Sequence, residues 1–573
     1  MGDFVIFKRD RVDEQKQKAI IRCLAAQGSK NPRLIHADSY SLLTFEKIIS
    51  PVVNVIENEK GNFCASSGCF FYKGKNGKSA LELFLNDFDP EIYSPHSFLG
   101  IFTLIIKKNG RLFIVTDPLG GSRIFHNSDR SVWSSSFLAL AETSSGLSID
   151  KQGVYEYCFQ ETTYGETTPV NEIKMADSLC YFEFCEHGIR SIKKNIPIDF
   201  ETTVSTYDEL LDEHSSLLQD QMNYVVSSYG LKIATALSGG YDSRLMLSLA
   251  RNAGITPDVY VYGADDSQDV KVAQSIARGE GFSIKHINKA HFQKPEPEEY
   301  AGILKDNFYA LDGLPNEGIF DFGANMSTRR KRAEDGTLIL NGGGGEIYRN
   351  FFYLPNLSYS VDQLIDVFYT RYTADFCTEA FSEDHYRDQL KSKIIYALEL
   401  ESEHMSRTQL EYAYPAFRLR YWTAKDNSNN NRLSSFLTPF ICYETIRATL
   451  KMPLKFKTHG RFQGDLINRI NPALASYQSD YGYPFNEPIP FSKKIKNNMT
   501  IFRPVWLRKR SYAIKHKMAN LSLPQTLSDG YIRPVLPAGT PYMDQYFKIP
   551  EIRDAALLGR VLTLEFLFGH LGL

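Results

Sequence analysis

The sequence predicts a mixed fold, α+β followed by α/β, and three observations support this. Apolar segments at residues 98–107 and 111–117 flank a Lys-Asn-Gly turn at 108–110, which is typical of a β-hairpin. Strand-like and helix-like patterns alternate over residues 231–287, as in a parallel sheet. After about residue 349 the chain is aromatic-rich and helical in tendency. We therefore expect antiparallel strands first, then a parallel α/β region with a helical extension.

The length of the chain predicts more than one domain. A chain of 573 residues exceeds a single hydrophobic core and favours two to three domains. A polar, proline-containing stretch between Lys193 and Thr206 is the predicted link. The predicted domains are residues 1–195 and residues 205–573.

Composition is that of an ordinary globular protein. Hydrophobic residues make up 43% and charged residues 23% of the chain. The net charge of −2 gives no electrostatic argument for nucleic acid or for an anionic membrane as a partner. Eight cysteines without a C-x-x-C pair indicate neither zinc nor a disulfide framework. Residues 1–10 lack a signal-peptide core and no run of 18 apolar residues occurs, so cytoplasm is the expected compartment.

The most informative stretch is the hexapeptide Ser-Gly-Gly-Tyr-Asp-Ser at residues 238–243. It follows an apolar strand-like segment, residues 231–237, and precedes a helix-like pattern. Adjacent Gly239 and Gly240 let the backbone approach a ligand, and the N-terminus of the following helix favours an anion. This order predicts a phosphate site, and a simple tight connection is the alternative.

The polar side chains of the hexapeptide suit nucleotide binding. Ser238 and Ser243 supply hydroxyl donors, and Asp242 supplies a carboxylate that can hold Mg²⁺ against phosphate oxygens. The pattern lacks the lysine and the glycine spacing of the Walker motif.

A second glycine-rich strand end follows at residues 338–345, Leu-Ile-Leu-Asn-Gly-Gly-Gly-Gly. In the same sheet it would lie beside the first, where the backbone N–H groups of Asn341, Gly342 and Gly343 can contact pyrophosphate. Glu346 comes next. It is either a catalytic and metal-binding carboxylate or a helix N-terminal glutamate stabilised by the dipole.

These motifs resemble the asparagine synthetase family. The hexapeptide resembles the pyrophosphate loop of ATP pyrophosphatases, and residues 266–277 resemble the segment after the adenine-binding strand. Gly-Ile-Phe from Gly100 and Asp-Pro-Leu-Gly from Asp117 resemble the glutaminase half, as do Ser135-Ser136 before a helix and Thr-Thr-Pro-Val from Thr167. The resemblance implies a glutaminase-like, Ntn-type β-sandwich with helices, then a parallel-sheet ATP-pyrophosphatase domain.

The resemblance also implies roles for further residues. Leu237 would end the strand before the phosphate loop, and Tyr262 and Gly263 would end the strand whose backbone meets adenine. In the family the second loop carries an Asp-Glu pair whose aspartate binds Mg²⁺, and here Gly345 takes the aspartate's place. Glu346 is then the candidate for a second metal carboxylate.

The basic residue of the active site is less clear. Residues 411–422, 436–440 and 452–457 resemble the later synthetase region, whose lysine near pyrophosphate would fall within residues 460–465. No lysine occupies that window. Lys455, Lys457 and Arg461 are the nearest candidates for stabilising a developing oxyanion.

The glutaminase half lacks the chemistry of the family it resembles. That chemistry needs an N-terminal cysteine after removal of the initiator methionine, and position 2 holds Gly2, followed by Asp3 and Phe4. Cys64 and Cys69 lie too far along the chain to substitute. We expect a degenerate glutaminase domain with a structural or substrate-shaping role.

Together these features predict an ATP- and Mg²⁺-dependent carbon–nitrogen ligase that works through an acyl-adenylate without hydrolysing glutamine. The loss of the nucleophile is similar to that in β-lactam synthetases and lasso-peptide cyclases, and favours intramolecular cyclisation or ligation. The expected partners are small-molecule or peptide substrates carrying a carboxylate and an amine, with a homodimer as one assembly. Ammonia-dependent amidation of a small-molecule or sugar carboxylate, and a pseudoenzyme or scaffold, are the alternatives.

Overall fold

The computed structural model describes residues 2–50, 53–230, 232–370, 372, 374–518 and 522–573. Leu231, where the predicted strand before the glycine turn was expected to begin, lies outside these residues. The strands of the first part are β1 (Phe4–Lys8), β2 (Lys30–Ala37), β3 (Tyr40–Glu46), β4 (Val55–Glu57), β5 (Phe63–Gly68), β6 (Phe71–Tyr72), β7 (Lys75–Asn76), β8 (Phe98–Leu99), β9 (Phe102–Lys108), β10 (Arg111–Thr116), β11 (Phe125–Asn127), β12 (Val132–Ser134), β13 (Ile173–Met175), β14 (Cys180–Cys185) and β15 (Gly188–Lys193). The helices of this part are α1 (Glu14–Ala26), α2 (Gly77–Asp87), α3 (Phe137–Ala141) and α4 (Lys151–Gln160).

Two antiparallel sheets pack face to face in this first part. Their strand orders are β13-β11-β12-β1-β3-β2 and β15-β14-β10-β9-β5-β4. Trp133 of the first sheet is fully buried, with its ring 4.7 Å from Phe182 of the second. Tyr40 and Phe184 make a similar contact at 5.1 Å. The predicted sandwich is confirmed by these contacts between inner faces.

The predicted hairpin at residues 98–117 is also present, as β9 and β10. Lys108 pairs with Arg111 across the turn. Asn109 and Gly110 both have positive φ, 52° and 78°, as the favoured two-residue hairpin turn requires.

The second part contains a parallel sheet. Its strands are β16 (Ile233–Ala236), β17 (Asp258–Tyr262), β18 (Ile284–Ile287), β19 (Leu338–Leu340) and β22 (Phe436–Leu437), with a two-stranded ribbon of β20 (Tyr359–Ser360) and β21 (His404–Met405) elsewhere. The order is β18-β17-β16-β19-β22, and every pair is parallel. The chain therefore moves outward from β16 to β18 and then returns to the other side of β16. Ligands of such sheets bind at this reversal, outside the carboxyl ends of the strands.

Helices surround this sheet and form the carboxyl-terminal extension. They are α5 (Tyr207–Tyr229), α6 (Tyr241–Asn252), α7 (Gln268–Glu280), α8 (Pro297–Ala310), α9 (Ala324–Ala333), α10 (Val361–Leu364), α11 (Glu383–Ala397), α12 (Arg407–Ala413), α13 (Ala424–Leu433), α14 (Tyr443–Lys451), α15 (Leu454–Lys457), α16 (Arg461–Ile470), α17 (Pro472–Ser476), α18 (Phe491–Ile501), α19 (Val505–Met518), α20 (Asp529–Ile532) and α21 (Ala555–Leu571). The predicted fold class, antiparallel sandwich followed by a parallel sheet with helices, is confirmed. The proposed domain limits stay predictions. Within the described part of the chain, no helix is both long and apolar enough to cross a bilayer.

Candidate active site

The hexapeptide at residues 238–243 joins β16 to α6, and its two serines close the turn. The Ser238 N–H donates to Ser243 Oγ at 2.9 Å, and the two hydroxyls lie 2.9 Å apart. The Gly240 N–H reaches Ser238 Oγ at 3.3 Å. Leu237 is buried directly after the last residue of β16, and its N–H donates to Tyr260 O. The serines therefore hold the turn in shape as well as offering hydroxyls.

Gly239 is held from both sides by other segments. Its N–H donates to Asp269 Oδ1 at 2.8 Å, and its carbonyl accepts from the Asp480 N–H at 3.2 Å. A Cβ at this position would lie 2.7 Å from Asp480 Cβ. A glycine is required here because residue 480 packs directly against the turn.

The amino terminus of α6 is available to an anion. Gly240 is the N-cap and contributes no side-chain hydrogen bond, so no capping side chain satisfies the first N–H groups of the helix. These groups and the helix dipole favour a phosphate. Arg244, fully buried one turn in, donates to the carbonyls of Tyr477 and Gln478 at 2.7 and 2.8 Å. It thereby holds residues 477–480 over the turn at residues 238–243.

The tetraglycine segment after β19 meets this turn directly. A Cβ on Gly342 would lie 2.9 Å from the carbonyl carbon of Asp242, and one on Gly345 would lie 2.3 Å from Asp242 Oδ1. Asn341 Oδ1 accepts from the Gly343 N–H at 3.1 Å, which shapes the segment from within. The two glycine-rich strand ends therefore come together, and Gly342 and Gly345 make the closest approach.

Arg349 lies at the centre of the charged groups in this site. Its Nη2 is 2.8 Å from Asp242 Oδ2 and 3.4 Å from Glu346 Oε1. Gln463 Nε2 donates to the other Asp242 oxygen at 2.7 Å, and the Tyr414 hydroxyl donates to Glu346 Oε2 at 2.8 Å. Asp242 and Glu346 thus share one guanidinium.

Burial of the Asp242 carboxyl raises its pKa to about 6, against the lowering effect of the Arg349 charge. The negative charge of Glu346 adds to the rise, and the hydrogen bond from Gln463 opposes it. The pKa of Arg349 is raised because both carboxylates favour its charged form, although burial acts the other way. With a pKa of about 6, Asp242 is mostly ionised at pH 7 and faces a charged Arg349 guanidinium.

One cavity adjoins this site, and a second cavity is the neighbour of the first. The larger, about 1020 Å³, is lined by Asn341, Gly343, Gly344, Glu346 and Arg349 together with aromatic and basic side chains from the helical extension. The smaller, about 590 Å³, is lined by Tyr262 and Gly263 at the end of β17. Trp422 and Asp426 line both cavities, so the two are neighbours across these side chains.

The second cavity contains the residues that the resemblance places near adenine. Tyr262 and Gly263 line it, and the Arg332 guanidinium lies over the Tyr262 ring at 5.6 Å. His286 bonds the Gly263 carbonyl through Nε2 at 2.9 Å. His286 thus supports the end of this strand through its contact with the Gly263 carbonyl.

The three basic candidates from the sequence lie elsewhere or are already paired. Lys455 is exposed over the Phe456 ring, and Arg461 pairs with Asp465 at 3.3 Å in a separate surface groove. Lys457 is buried and pairs with Glu411 behind the Glu346 and Arg349 side chains. None of the three contacts Asp242.

The turn at residues 238–243 can offer one carboxylate, that of Asp242, to a Mg²⁺ ion. Both oxygens of Asp242 accept hydrogen bonds, from Arg349 Nη2 at 2.8 Å and from Gln463 Nε2 at 2.7 Å, so a bound cation would have to replace one of these contacts. Phosphate-bound Mg²⁺ usually takes one or two carboxylates and obtains its other ligands from phosphates and water. Within the described residues no cluster of three or more His, Cys, Asp or Glu offers a metal site made by the protein alone. Asp242 is the carboxylate of the turn that has the donor chemistry of an Mg²⁺ ligand, and Glu346 lies on the other side of Arg349.

Four residues of the site were not predicted: Arg349, Gln463, Asp269 and Tyr414. Arg349 stands three positions after Glu346, a spacing that brings two side chains together on a helix, so a contact between them was predictable from the sequence. Gln463 falls inside the window 460–465, which was searched for a lysine. No local pattern signals the contacts of Asp269 and Tyr414.

The backbone around Gly2, where the resemblance would place a nucleophile, is tightly packed. A Cβ on Gly2 would lie 2.5 Å from the Glu46 carbonyl oxygen. The neighbouring Asp3 carboxylate is fully buried and pairs with Arg432 at 3.0 Å. The Ser135 hydroxyl also donates to Asp3, at 3.0 Å. This corner therefore joins the sandwich to α13 through a buried ion pair.

No protein-family model and no curated protein matches this chain. Among solved structures, glutamine phosphoribosylpyrophosphate amidotransferase from B. subtilis, complexed with ADP and GMP, aligns at 8% identity over 59% of this chain and 81% of that chain, with a TM-score of 0.23. Glutamine-dependent NAD+ synthetase from Acinetobacter baumannii, in complex with ADP, aligns at 17% identity over 31% and 32%, with a TM-score of 0.15. A U34-tRNA thiolase from Methanococcus maripaludis with its 4Fe–4S cluster aligns at 12% identity over 62% and 95%, with a TM-score of 0.22. Similarities this low carry no argument about function, and the fold class rests on the sheets described above.

Proposed function

We propose that this protein is an ATP-dependent carbon–nitrogen ligase that activates a carboxylate as its adenylate and then forms an amide. One observation carries the proposal. The glycine turn at the end of β16 and the tetraglycine segment after β19 converge on Asp242, at the edge of a parallel sheet where ligands bind. An uncapped helix N-terminus opens at the same point.

In the proposed first step a substrate carboxylate oxygen attacks the α-phosphorus of ATP. The bond from that phosphorus to the bridging oxygen breaks, and pyrophosphate leaves. The N-terminal N–H groups of α6 and the Gly342 and Gly343 backbone hold the leaving pyrophosphate, while Arg349 supplies positive charge beside it. Mg²⁺, when bound, neutralises charge on the phosphate oxygens, and Asp242 is the residue that would hold it.

In the second step an amine nitrogen attacks the acyl carbon. The bond from carbon to the AMP oxygen breaks, AMP leaves, and the nitrogen loses a proton. The larger cavity lies beside Glu346 and Arg349 and has room for both the acyl group and the amine. We propose that the amine belongs to the same substrate or to a second one, because packing around Gly2 leaves no room for a nucleophilic side chain.

ATP–pyrophosphate exchange with a panel of carboxylates tests this function. We expect exchange with at least one member of the panel, and loss of that exchange in Asp242→Ala with the fold intact by circular dichroism. Asp258→Ala is the matched control, because Asp258 is exposed at the opposite end of β17 and should leave exchange unchanged. Equal exchange in Asp242→Ala and the wild type would contradict the role of the turn.

The alternatives give different results in the same assay. Ammonia-dependent amidation predicts amide formation that requires added ammonium and no second amine. A scaffold without catalysis predicts no exchange with any carboxylate, together with binding of ATP that Asp242→Ala does not alter.

A further inference from the structure

Helix α18 exposes the face that an amphipathic helix usually buries. Only Ile501 among its residues is buried. Its apolar residues, continued by the turn into α19, are Phe491, Ile495, Met499, Phe502 and Trp506. Their spacing of three or four residues places those of α18 on one stripe of the helix.

The exposure of this stripe is large. Phe491, Met499 and Phe502 are 77%, 70% and 71% exposed, and Trp506 is 60% exposed. Six of the fourteen large exposed hydrophobic residues in the described chain fall within residues 491–507. A concentration of this kind marks an interaction surface, whereas isolated apolar residues on a surface do not.

The same segment is strongly basic. Residues 491–511 contain seven lysines and arginines and no aspartate or glutamate, although the whole chain has a net charge of −2. Lys509 is paired with Glu383, at 2.6 Å. Within the described residues no carboxylate forms an ion pair with Lys494, Lys496 or Arg510, and all three are exposed. We call the stripe and these three basic side chains the basic–apolar face.

The basic–apolar face is continuous with the larger cavity of the candidate active site. Thr500 and Arg503, beside the stripe, line the cavity that Glu346 and Arg349 also line. Arg508 fixes the two helices to the cavity wall. It donates to the carbonyls of Phe352 at 2.9 Å and Thr500 at 2.8 Å.

We propose that the basic–apolar face docks an acidic polypeptide segment with apolar side chains at helical spacing, and that the adjoining part of that polypeptide enters the cavity. The occupant follows from complementarity. Lys494 and Lys496 flank the apolar stripe, Arg510 lies over the Trp506 ring at 5.6 Å, and none of the three has an ion pair among the described residues. Such a face favours a partner with an apolar stripe flanked by carboxylates. The eleven residues of α18 span about 16 Å, so about three turns of a partner helix cover them.

Thr500 and Arg503 lie beside the stripe and also line the larger cavity, and this favours a polypeptide over an anionic bilayer as the partner of the face. A basic amphipathic helix is also typical of membrane surfaces. A bilayer seated on this face would lie against Thr500 and Arg503, which line the cavity, but it offers no segment that could enter the cavity. A polypeptide could cover the face and also extend past these two residues into the cavity. Entry into the cavity rests on the proposed ligase function, whereas docking itself does not.

Binding of designed peptides to the full-length protein tests the docking. The first probe is a 16-residue fluorescein-labelled peptide with leucine at helical i, i+3, i+4 spacing and glutamate at the polar positions. The second carries lysine for glutamate, and the third carries serine for leucine. We expect the first peptide to bind, with fluorescence anisotropy rising as protein is added. The second peptide lacks the carboxylates and the third lacks the apolar stripe, so each should bind at least about ten-fold more weakly.

Two variants locate the binding on α18. Phe491→Ser with Met499→Ser removes apolar contact, and Lys494→Glu with Lys496→Glu reverses the charge. Each should weaken binding of the first peptide at least about ten-fold. The control is Lys30→Glu with Lys151→Glu, which makes the same change of charge at exposed positions of the sandwich and should leave binding unchanged.

Two further measurements test whether the variants change docking alone, and not folding or the proposed ligase activity. Circular dichroism should show that each variant is folded. ATP–pyrophosphate exchange with a small carboxylate should be unaffected in all of them. A protein that exchanges with no carboxylate, yet binds the acidic peptide through α18, would disprove the ligase proposal and leave the docking proposal standing.

Two results would overturn the docking proposal. One is binding of the acidic peptide that neither α18 variant weakens. The other is co-sedimentation with phosphatidylglycerol vesicles that both variants abolish, with no binding of the acidic peptide. The second result would assign the face to a membrane surface.

Discussion

Arg349 should stabilise the folded protein only while the carboxylates around it are ionised. Its Nη2 lies 2.8 Å from Asp242 and 3.4 Å from Glu346, so Arg349→Met leaves two carboxylates facing each other without a counter-charge. Removing one partner of a buried pair costs about 3–5 kcal/mol. The Arg349 and Asp242 side chains are 21% and 23% exposed, so we expect a smaller loss, about 2–3 kcal/mol at pH 8.

The loss should shrink at low pH. The pKa of Asp242 is raised to about 6 from 3.8, so the stability that its protonated form contributes is fully present below pH 3.8 and is lost as pH rises through about 6. Without the Arg349 charge this pKa rises further. At pH 5 Asp242 is then protonated in the variant, and we expect a cost of about 1 kcal/mol.

A double-mutant cycle measures this coupling. Urea unfolding of the wild type, Arg349→Met, Asp242→Asn and the double variant at pH 5 and pH 8 should give an interaction free energy of about 1.5–2 kcal/mol at pH 8 and less at pH 5. Arg461→Met is the control, because its pair with Asp465 is on the surface and should contribute about 0.5 kcal/mol or less. Additive single effects at pH 8, or an Arg349→Met loss that is equal at both pH values, would refute the reasoning.

Three further predictions follow from the site and the amino-terminal corner. Glutamine should not be hydrolysed by the wild type or by Gly2→Cys, because a Cβ there would lie 2.5 Å from the Glu46 carbonyl oxygen; glutamate release coupled to turnover would contradict this. Glu346→Gln should lower the rate of adenylation about ten-fold or more and change ATP affinity less, because Glu346 helps to position the Arg349 guanidinium, whose charge matters most as pyrophosphate leaves; single-turnover kinetics and calorimetry separate the two. Asp3→Asn should destabilise the protein by about 2–4 kcal/mol in thermal and urea unfolding, because it leaves the Arg432 charge buried without its partner; a change below about 0.5 kcal/mol would show that the pair is dispensable.

Local patterns in the sequence determined the elements of the site and their order. The strand, glycine turn and helix around residues 238–243 were predictable because adjacent glycines and a helical apolar period are properties of neighbouring residues. The hairpin at 108–110 was predictable for the same reason. The tetraglycine end of β19 was expected beside β16 because alternating strands and helices imply a parallel sheet, and the strand order has them adjacent.

Only the tertiary structure decided which charges meet. Arg349 and Gln463 lie 107 and 221 positions from Asp242 in the chain, and no local pattern reports contacts over such separations. Lys455 and Arg461 were reasonable candidates by proximity in sequence, yet α15 and the start of α16 direct them to the surface. A side chain's position in a sequence window does not specify the direction in which its helix presents it.

The same reason applies to α18. Its apolar stripe is visible in the sequence, and such a stripe ordinarily predicts a buried face. The periodicity of the apolar residues shows that a helix has an apolar face and a polar face. Whether the apolar face is buried depends on whether another element of the chain packs against it. Here Ile501 is the only α18 residue buried among the described residues, and the apolar stripe is exposed.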